Sequence, residues 1–369
     1  MMVLLNSGIG NYVTSNGKKY SYFGGNNYLG LANHPVVKEA AVKSINEYGV
    51  NFSASRRTTG TADIHLVLEK KLSDFKGMQD TVVFASGYLG NSILLEALKG
   101  RFSAVFIDQY AHSSIDAAVH RDCTAVYYYK HCDSQHLESL LRRNSYSSPL
   151  IITDGVFALT GEIAPLDRIY SLVKKYDALL IVDDAHSTGI LGQTGKGTPE
   201  HFNLPSDENI FQSETMSKAL GSYGGFISGR SDLIDLIRER SAIYQASTSL
   251  PPPVVAAGIA SLGIIKENPG LRTDLIEKAV KLRNSITMLG FRTTDYSTAI
   301  IPIILPDPAT AKKLSFFLEE NGIIVPYMNY PSKNEICMLR VAVSVSHTEE
   351  QTESLLEVLE RWRKLMFRK

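Results

Sequence analysis

Short apolar runs alternate with helix-forming segments through the middle of this chain, and this alternation constrains the fold more than any other feature of the sequence. Each run is rich in β-branched or apolar residues and is bounded by glycine or polar residues, which predicts a short buried strand. Strands that alternate with helices form parallel sheets covered on both faces, so the pattern predicts an α/β fold with a mostly parallel sheet. The predicted strands are Thr81–Ala85, Ser103–Ile107, Thr124–Tyr129, Leu150–Thr153, Leu179–Val182, Ile210–Gln212 and Gly225–Ser228.

The pattern changes after Pro251–Pro253, where a long helical pattern runs from Val254 to Leu289. Three strands and a helix follow, and a last helix begins at a capping-box sequence, Thr348 to Gln351. These elements are predicted at Ala299–Leu305, Ala309–Glu320, Ile323–Val325 and Leu339–Val343. We therefore predict an N-terminal arm over residues 1–35, a large α/β domain over 36–270 and a small α+β domain over 271–369.

Charge and cysteine content exclude several classes of protein. The chain has 38 basic and 38 acidic residues, so its formal net charge is zero. Nucleic-acid-binding proteins usually carry a basic excess, and we therefore expect no nucleic-acid partner.

No apolar run approaches the roughly 18–20 residues that cross a bilayer, so we expect no membrane span. The three cysteines, Cys123, Cys132 and Cys337, are odd in number, which favours a reducing, cytoplasmic location.

Open α/β sheets bind ligands at the carboxyl ends of their strands, so the residues after each predicted strand are candidates for a site. The sequence Ser86-Gly87-Tyr88-Leu89-Gly90-Asn91 follows the first of these strands and opens a helix. Free backbone N–H groups and the helix dipole at such a position suit a phosphate group. The same sequence is also compatible with a plain strand–helix turn.

Reactive side chains also follow two further predicted strands. Asp183 and His186 follow the strand at Leu179–Val182, where a carboxylate is costly unless it is paired; the pair is also compatible with a hydrogen-bonded structural feature. Lys218 follows the strand at Ile210–Gln212 among small hydroxyl and glycine residues. Desolvation in such a segment would make this lysine a nucleophile or a base.

Other catalytic motifs are excluded. The sequence Gly192-Gln193-Thr194-Gly195-Lys196-Gly197 resembles a phosphate loop, but it lacks the required earlier glycine and the Ser or Thr after the lysine. The histidines show no zinc-binding spacing, so we expect no metal, and no G-x-S-x-G nucleophile motif occurs.

An anion-binding turn, an acid next to a histidine and a buried lysine are together what pyridoxal phosphate requires. The lysine can form a Schiff base, the acid can hold the protonated pyridine nitrogen, and the turn can bind the phosphate. The order of the three along the chain agrees with the large domain of the aspartate-aminotransferase-like fold.

The chain resembles the α-oxoamine synthase family of pyridoxal-phosphate enzymes, which have fold type I, over nearly its whole length. The motifs that carry the resemblance are Asn26-Asn27-Tyr28-Leu29-Gly30-Leu31, Thr59-Gly60-Thr61 with His65, Ser86-Gly87-Tyr88 with Asn91, Asp108 with His112-Ser113-Ser114, Asp154-Gly155-Val156-Phe157 through Gly161, Val182-Asp183-Asp184-Ala185-His186, Thr215–Gly221 and Leu339–Thr348.

The resemblance implies four catalytic residues. Lys218 would hold the cofactor as a Schiff base and remove the α-proton of the amino acid. Asp183 would pair with the pyridine nitrogen, and His186 would reach the ring's 3-oxygen. His112 would stack on the ring and donate a proton near the acyl carbonyl.

The resemblance also implies the remaining binding residues. Ser86, Gly87, Tyr88 and Thr215 would bind the cofactor phosphate. Thr248 would reach the same phosphate from a neighbouring subunit, which implies a homodimer.

The amino-acid substrate would be held by two further residues. Arg340 would clamp its carboxylate, because the guanidinium fork binds a carboxylate through two hydrogen bonds. Asn27 is expected near the same substrate.

The implied activity is a decarboxylating condensation of glycine, alanine or serine with an acyl thioester, either acyl-CoA or acyl-carrier protein, to an α-aminoketone. Two departures from the family pattern bear on it. Ala158 stands where relatives have a serine that contacts the cofactor ring, and the chain before Asn27 is short. The alternatives left open are an aminotransferase or other fold-type-I lyase and a non-catalytic synthase subunit.

Overall fold

The computed structural model describes residues 3–122, 125–143, 146–205, 207–328 and 337–366. Cys123 and Thr124, the first residue of the third predicted strand, lie outside the described residues. Contacts divide the chain into two compact units. The larger unit is Pro35–Phe157 with Ile163–Glu267, and the smaller is Met1–His34, Ala158–Glu162 and Asn268–Lys369. The domain boundaries expected near residues 35 and 270 stay a prediction.

The strands are β1 (Tyr12–Ser15), β2 (Lys18–Tyr22), β3 (Asp80–Phe84), β4 (Ala104–Asp108), β5 (Val126–Tyr129), β6 (Pro149–Asp154), β7 (Leu179–Asp183), β8 (Ile210–Thr215), β9 (Gly225–Gly229), β10 (Ile300–Leu305), β11 (Ile323–Ile324), β12 (Tyr327–Met328) and β13 (Cys337–Ala342). The α-helices are α1 (Pro35–Tyr48), α2 (Asp63–Lys76), α3 (Gly90–Ala97), α4 (Ser113–Asp122), α5 (Ser134–Arg143), α6 (Leu166–Tyr176), α7 (Thr198–His201), α8 (Ser231–Arg240), α9 (Ala242–Ala246), α10 (Pro252–Glu267), α11 (Gly270–Met288), α12 (Pro308–Glu320) and α13 (Glu349–Met366).

The larger unit is built on a seven-stranded sheet whose order is β3-β9-β8-β7-β6-β4-β5. Strands β5, β4, β6, β7 and β8 run parallel to one another, and β9 is antiparallel to both β8 and β3. This arrangement confirms the predicted mostly parallel, mixed sheet.

The central strands are buried on both faces, which explains their continuous apolar sequences. On β4, Val105 and Ile107 pack into one apolar cluster, and Ala104 and Phe106 pack into the other. Successive side chains of a strand point to opposite faces, so one strand supplies both clusters. Polar residues occur only at the carboxyl ends of these strands. Because the strands are parallel, these ends lie side by side at the same end of the sheet.

The smaller unit contains two three-stranded sheets, of order β1-β2-β11 and β10-β13-β12. The predicted capping box at the start of α13 is confirmed, because Thr348 Oγ1 accepts from Gln351 N at 3.2 Å and Gln351 Oε1 accepts from Thr348 N at 3.1 Å. No helix among the described residues combines the length and apolar character that a membrane span requires.

The single long helix predicted from residue 254 to residue 289 is wrong. Helix α10 ends at Glu267 and α11 begins at Gly270. Pro269 lies between them; it lacks a backbone N–H and disfavours helical backbone at Asn268, so the helical ladder cannot continue.

Candidate active site

A cavity of the larger unit lies at the carboxyl ends of the parallel strands, where ligands of such sheets bind. Eight of the residues predicted from the sequence line it: Ser86, Gly87, Tyr88, His112, Asp183, His186, Thr215 and Lys218. Four further residues that we did not predict complete the lining: Ser114, Asp154, Ala185 and Ser217.

Asp183 is the last residue of β7, and its buried carboxylate is held by two donors. Asn91 Nδ2 donates to Oδ2 at 2.7 Å, and the backbone N–H of Ala185 donates to Oδ1 at 3.2 Å. Asn91 Nδ2 also donates to Ser114 Oγ at 3.1 Å. The carboxylate is therefore fixed in orientation before any ligand binds.

Asp154 ends the neighbouring strand β6 and pairs in register with Asp183. Burial, reinforced by the charge of Asp183, raises the pKa of Asp154 well above its ordinary range. Two neighbouring buried carboxyls cannot both ionise at low cost, so the site favours the protonated form of Asp154. Its Oδ1 accepts from the backbone N–H of His112 at 3.0 Å and so positions that residue.

The His112 ring has a defined tautomer. The backbone N–H of Ser114 donates to Nδ1 at 3.2 Å, and Ser114 Oγ lies 2.8 Å from the same nitrogen. Nδ1 is therefore an acceptor, and the neutral ring carries its proton on Nε2. Burial lowers the pKa of His112 below 6.5; the Asp183 carboxylate opposes this shift and the Lys218 ammonium adds to it. His112 is thus neutral at pH 7.

The turn after β3 packs directly on β8. Ser86 caps it, because its Oγ accepts from the backbone N–H of Tyr88 at 3.3 Å. A Cβ atom on Gly87 would lie 2.7 Å from both Cβ and Oγ1 of Thr215, so only glycine fits there without displacing the turn. The half-exposed Tyr88 ring meets the His112 ring edge-on, with centroids 6.2 Å apart.

Lys218 lies in the tight connection between β8 and β9. The connection is closed by the N–H of Met216 donating to Gly224 O at 2.9 Å and by Thr215 Oγ1 donating to the same oxygen at 3.0 Å. The N–H of Gly221 donates to Lys218 O at 3.0 Å. These bonds fix the backbone that carries the lysine at the cavity.

Asp184 has a structural role, unlike the neighbouring Asp183. It is fully buried and accepts from both N and Oγ1 of Thr198, at 2.9 and 2.6 Å, and from Gln212 and Ser187. Cβ atoms on Gly155 or Gly197 would collide with its oxygens, at about 2.1 Å. Asp184 therefore holds the loop after β7 in place.

Three predicted site residues do not line the cavity of the larger unit. Thr248 is exposed and forms a β-bridge with Ser55. Asn27 belongs to the smaller unit, where its Oδ1 accepts from the N–H of Ala32 at 3.0 Å.

Arg340, also of the smaller unit, is buried in β13. Its Nε donates to Ala158 O, and its Nη2 donates to Asn26 Oδ1 at 2.9 Å and to Tyr28 Oη at 3.1 Å. The backbone oxygen of Ala158, the residue that departs from the family pattern, thus helps to orient the arginine.

The model of the class I and II aminotransferase family matches residues 18–359. The 8-amino-7-oxononanoate synthase of Thermoanaerobacter pseudethanolicus is 37% identical over 94% of this chain and 88% of its own length. The serine palmitoyltransferase of Bacteriovorax stolpii is 36% identical over 96% of this chain and 84% of its own length. The chain belongs to the α-oxoamine synthase family.

The fold of this α-oxoamine synthase is confirmed by a solved structure. A serine palmitoyltransferase from S. paucimobilis with bound PLP and myriocin superposes with a TM-score of 0.93 at 27% identity, covering 98% of this chain and 92% of that one. The predicted fold of the pyridoxal-phosphate-dependent transferases is therefore correct.

No role was predicted from the sequence for the polar residues that connect Asp183 to His112 in this α-oxoamine synthase. Asn91 and Ser114 form a hydrogen-bonded chain from Asp183 to His112, and Asp154 anchors the His112 backbone. Asp154 could have been found by the rule that identified Asp183, since each ends a predicted parallel strand. Asn91 and Ser114 lie inside helices and give no comparable signal.

A buried ion pair at the end of β8 predicts how the stability of the folded protein depends on pH. Lys76 Nζ lies 2.5 Å from Glu214 Oε1, and Thr188 Oγ1 donates to the same oxygen at 2.8 Å. Burial raises the pKa of Glu214 to about 7, although the Lys76 ammonium opposes the shift. Glu214 therefore keeps its proton up to about pH 7 in the folded protein but releases it near pH 4.5 in the unfolded chain. Proton binding at Glu214 thus stabilises the folded protein at low pH, and this stabilisation is lost as the pH rises to about 7.

We expect Glu214→Gln to remove this dependence. Differential scanning fluorimetry measures the Tm of both proteins at pH 5 and at pH 7.5. We expect the Tm of the wild type minus that of Glu214→Gln to be larger at pH 5 than at pH 7.5. Acid effects common to both proteins cancel in this difference. A difference that is the same at both pH values, or that changes in the other direction, would contradict the raised pKa.

Proposed function

We propose that this protein condenses a small α-amino acid (glycine, alanine or serine) with an acyl thioester, with loss of carbon dioxide, in a reaction that depends on pyridoxal phosphate. The proposal is supported by the relatives, which are named as synthases and acyltransferases of this kind. The observation that carries it is a single cavity lined by Lys218, Asp183 and His112. The aminotransferase alternative is not favoured, because these relatives are acyltransferases.

The residues of the cavity fit the cofactor. Gly87 leaves space where a Cβ would collide with Thr215, so backbone and hydroxyl donors can approach a phosphate closely. Asp183 supplies an ionisable acid held by Asn91, and the neutral His112 ring supplies a flat face. Pyridoxal phosphate, when bound, supplies a ring that accepts the electron pair left on the substrate carbon.

Each catalytic residue then has a task that follows from its chemistry. Lys218 would hold the cofactor through Nζ and would take the α-proton of the amino acid at the same nitrogen. Asp183, fixed by Asn91, would be the acceptor that keeps the pyridine nitrogen protonated. His186 would donate to the ring's 3-oxygen. His112, whose neutral ring carries its hydrogen on Nε2, would donate a hydrogen bond to the acyl oxygen of the thioester and stabilise the negative charge that develops there.

Substrate binding and assembly are further parts of the proposal. Arg340 binds the amino-acid carboxylate, with Asn27 near the same substrate. Thr248, which is exposed, contributes to the phosphate site of a second copy in a homodimer. The enzyme acts in the cytoplasm, in keeping with its odd number of cysteines.

The close approach of Gly87 to Thr215 gives a prediction about cofactor affinity. We expect Gly87→Ala to push the turn away from Thr215 and raise the Kd for pyridoxal phosphate by about tenfold or more, which corresponds to roughly 1.4 kcal/mol. Fluorescence titration of the apoenzyme measures this. Gly263→Ala is the control, because a Cβ there meets nothing within 4 Å. An unchanged Kd in Gly87→Ala would show that the turn does not bind the phosphate.

The reaction itself is tested by supplying acyl-CoA thioesters of several chain lengths with glycine, alanine or serine. We expect thiol release that requires both substrates, with carbon dioxide and an α-aminoketone formed in equal amounts. Formation of a keto acid from the amino acid, with accumulation of pyridoxamine phosphate and no thiol release, would instead identify an aminotransferase. Failure to bind the cofactor would identify a non-catalytic subunit.

A further inference from the structure

A second group of reactive side chains lies at the ends of β4 and β5, among residues that the proposed reaction does not use. Asp108 ends β4 and pairs in register with Tyr129, the last residue of the parallel strand β5. The loop after β5 carries His131 and Cys132 beside the Asp108 carboxylate. An acid, an imidazole and a thiol are thus brought together by two neighbouring strand ends.

The hydrogen bonds order the three groups in a line. His131 Nδ1 lies 2.9 Å from Asp108 Oδ1, and His131 Nε2 lies 3.7 Å from Cys132 Sγ. A carboxylate only accepts, so Nδ1 carries the proton and the lone pair of Nε2 faces the thiol. This order of acid, base and nucleophile is the one that activates nucleophilic cysteines.

The base is held rigidly. The His131 ring stacks on Tyr110, with centroids 4.5 Å apart and planes 30° from parallel, and meets Phe157 edge-on at 4.3 Å. Asp108 is itself fixed, because the backbone N–H groups of Tyr110 and Cys132 each donate to its oxygens at 2.8 Å.

The backbone at the thiol is in an unusual conformation. Cys132 has φ of +53°, a left-handed conformation that costs free energy for residues other than glycine. Such outliers persist where the surrounding structure holds them, and here the Asp108 carboxylate holds the N–H of Cys132. The residue is partly exposed, and its side chain packs at the margin of the apolar cluster on this face of the sheet.

The other charges around the thiol do not disturb this arrangement. Burial, and then the charges of Asp108 and Cys132, raise the pKa of Tyr129 well above 10, so its phenol stays neutral. Asp133 is turned into α5, where it accepts from the N–H of His136 at 2.8 Å.

A bound metal ion is the other chemistry that an acid, a histidine and a cysteine could serve. Oδ1 of Asp108 accepts from His131 Nδ1 and from the N–H of Tyr110, and Oδ2 accepts from the N–H of Cys132, so a metal ion would have to use the remaining lone pair of Oδ2. With that oxygen, His131 and Cys132 this group offers three protein ligands, the smallest number that zinc sites take. Binding of Zn²⁺ is therefore the alternative that the experiment below has to exclude.

We propose that Cys132 is a nucleophilic thiol activated by His131 and Asp108, and that it forms mixed disulfides with low-molecular-weight disulfides. His131 Nε2 takes the thiol proton, and the thiolate attacks one sulfur of the disulfide. The new Cys132 S–S bond forms as the old S–S bond breaks, and the leaving thiolate receives the proton from His131. The step needs no other reactant and does not depend on the condensing activity.

Alkylation by iodoacetamide tests the proposal on the cofactor-loaded enzyme, with each cysteine followed by peptide mass spectrometry. The alkylation rate of each cysteine at pH 6.5 is divided by the rate of the same cysteine at pH 9.5, so that differences in solvent access between cysteines cancel. An ordinary thiol of pKa about 8.5 keeps roughly one hundredth of its plateau rate at pH 6.5. We expect Cys132 to keep roughly a tenth or more. Cys337, which is also partly exposed, is followed in the same experiment as an internal comparison.

The variant His131→Gln keeps a donor for Asp108 but cannot take a proton, and it should lower the Cys132 value to about one hundredth, that of an ordinary thiol. His136→Gln, in helix α5 directly after the loop, is the matched control. Incubation with glutathione disulfide should give an adduct on Cys132 faster than on Cys337, reversible by dithiothreitol.

Three outcomes would overturn the proposal. One is a Cys132 value near one hundredth in the wild type, a result that needs no variant. Another is an unchanged Cys132 value in a folded His131→Gln protein. The third is stoichiometric binding of Zn²⁺ that blocks alkylation of Cys132, which would identify a metal site.

Discussion

Lys218→Ala is expected to abolish condensation, with a fall in kcat of roughly 10³-fold or more, because no other group at the cavity can both bind the cofactor covalently and take the α-proton. Thiol release from acyl-CoA measures the loss of activity. Borohydride reduction followed by peptide mass spectrometry measures the covalent linkage, which should be present on the Lys218 peptide of the wild type and absent from the variant.

Two further variants separate the roles of charge and nucleophile at this position. Lys218→Arg keeps the positive charge but cannot form the linkage, and we expect it to be as inactive as Lys218→Ala. Lys70→Ala removes an exposed lysine of α2 and should leave kcat unchanged. A Lys218→Ala protein that is still linked to the cofactor after reduction would show that a different lysine carries it.

Asp183→Asn is expected to lower kcat by about 10²- to 10³-fold while the protein stays folded and binds the cofactor. The amide has the shape of the carboxylate and can still accept from Asn91, although it gives up the longer bond from the N–H of Ala185. It carries no charge to hold a proton on the pyridine nitrogen. Steady-state kinetics and cofactor titration of the same preparation separate the loss of catalysis from a loss of binding.

Asp184→Asn is the matched control, because the two acids are adjacent and buried but have different partners. Asp184 accepts from Thr198 and Gln212, so its amide variant loses acceptors for buried donors and should cost about 1–3 kcal/mol of folding free energy. We expect a lower Tm and only a small change in kcat at a temperature where the variant is folded. A large fall in kcat at unchanged Tm would contradict the distinct roles of the two acids.

The sequence was informative where a strand is buried on both faces. The run at Leu179–Val182 predicted β7 to within one residue because every side chain there is apolar until Asp183. The hairpin of β1 and β2 was not predicted, because its strands are half-exposed and mix polar with apolar residues. Its turn, Asn16-Gly17, has positive φ at both residues, and the Asn-Gly pair is the signal that could have found it.

The candidate site was predictable in its charged groups and not in the contacts between them. Lys218 and Asp183 stand out because charged residues at the ends of buried strands need a reason to be there. The bonds from Asn91 to Asp183 and from His112 to Asp154 join residues 92 and 42 positions apart, and no local pattern encodes such a pairing. The tautomer of His112 depends on Ser114 and follows only from the three-dimensional arrangement.

The antiparallel strand β9 has a consequence for how the protein folds. The bonds that close the Lys218 connection span only a few residues, such as Met216 to Gly224, so this hairpin can form early from local contacts. Asp183 and Asn91 are 92 positions apart, and strands β4, β5 and β6 lie between them in the sequence. We therefore expect the backbone that carries Lys218 to order before the bond from Asn91 to Asp183 forms, and we expect cofactor capture during refolding to report the last stage of sheet assembly rather than the first.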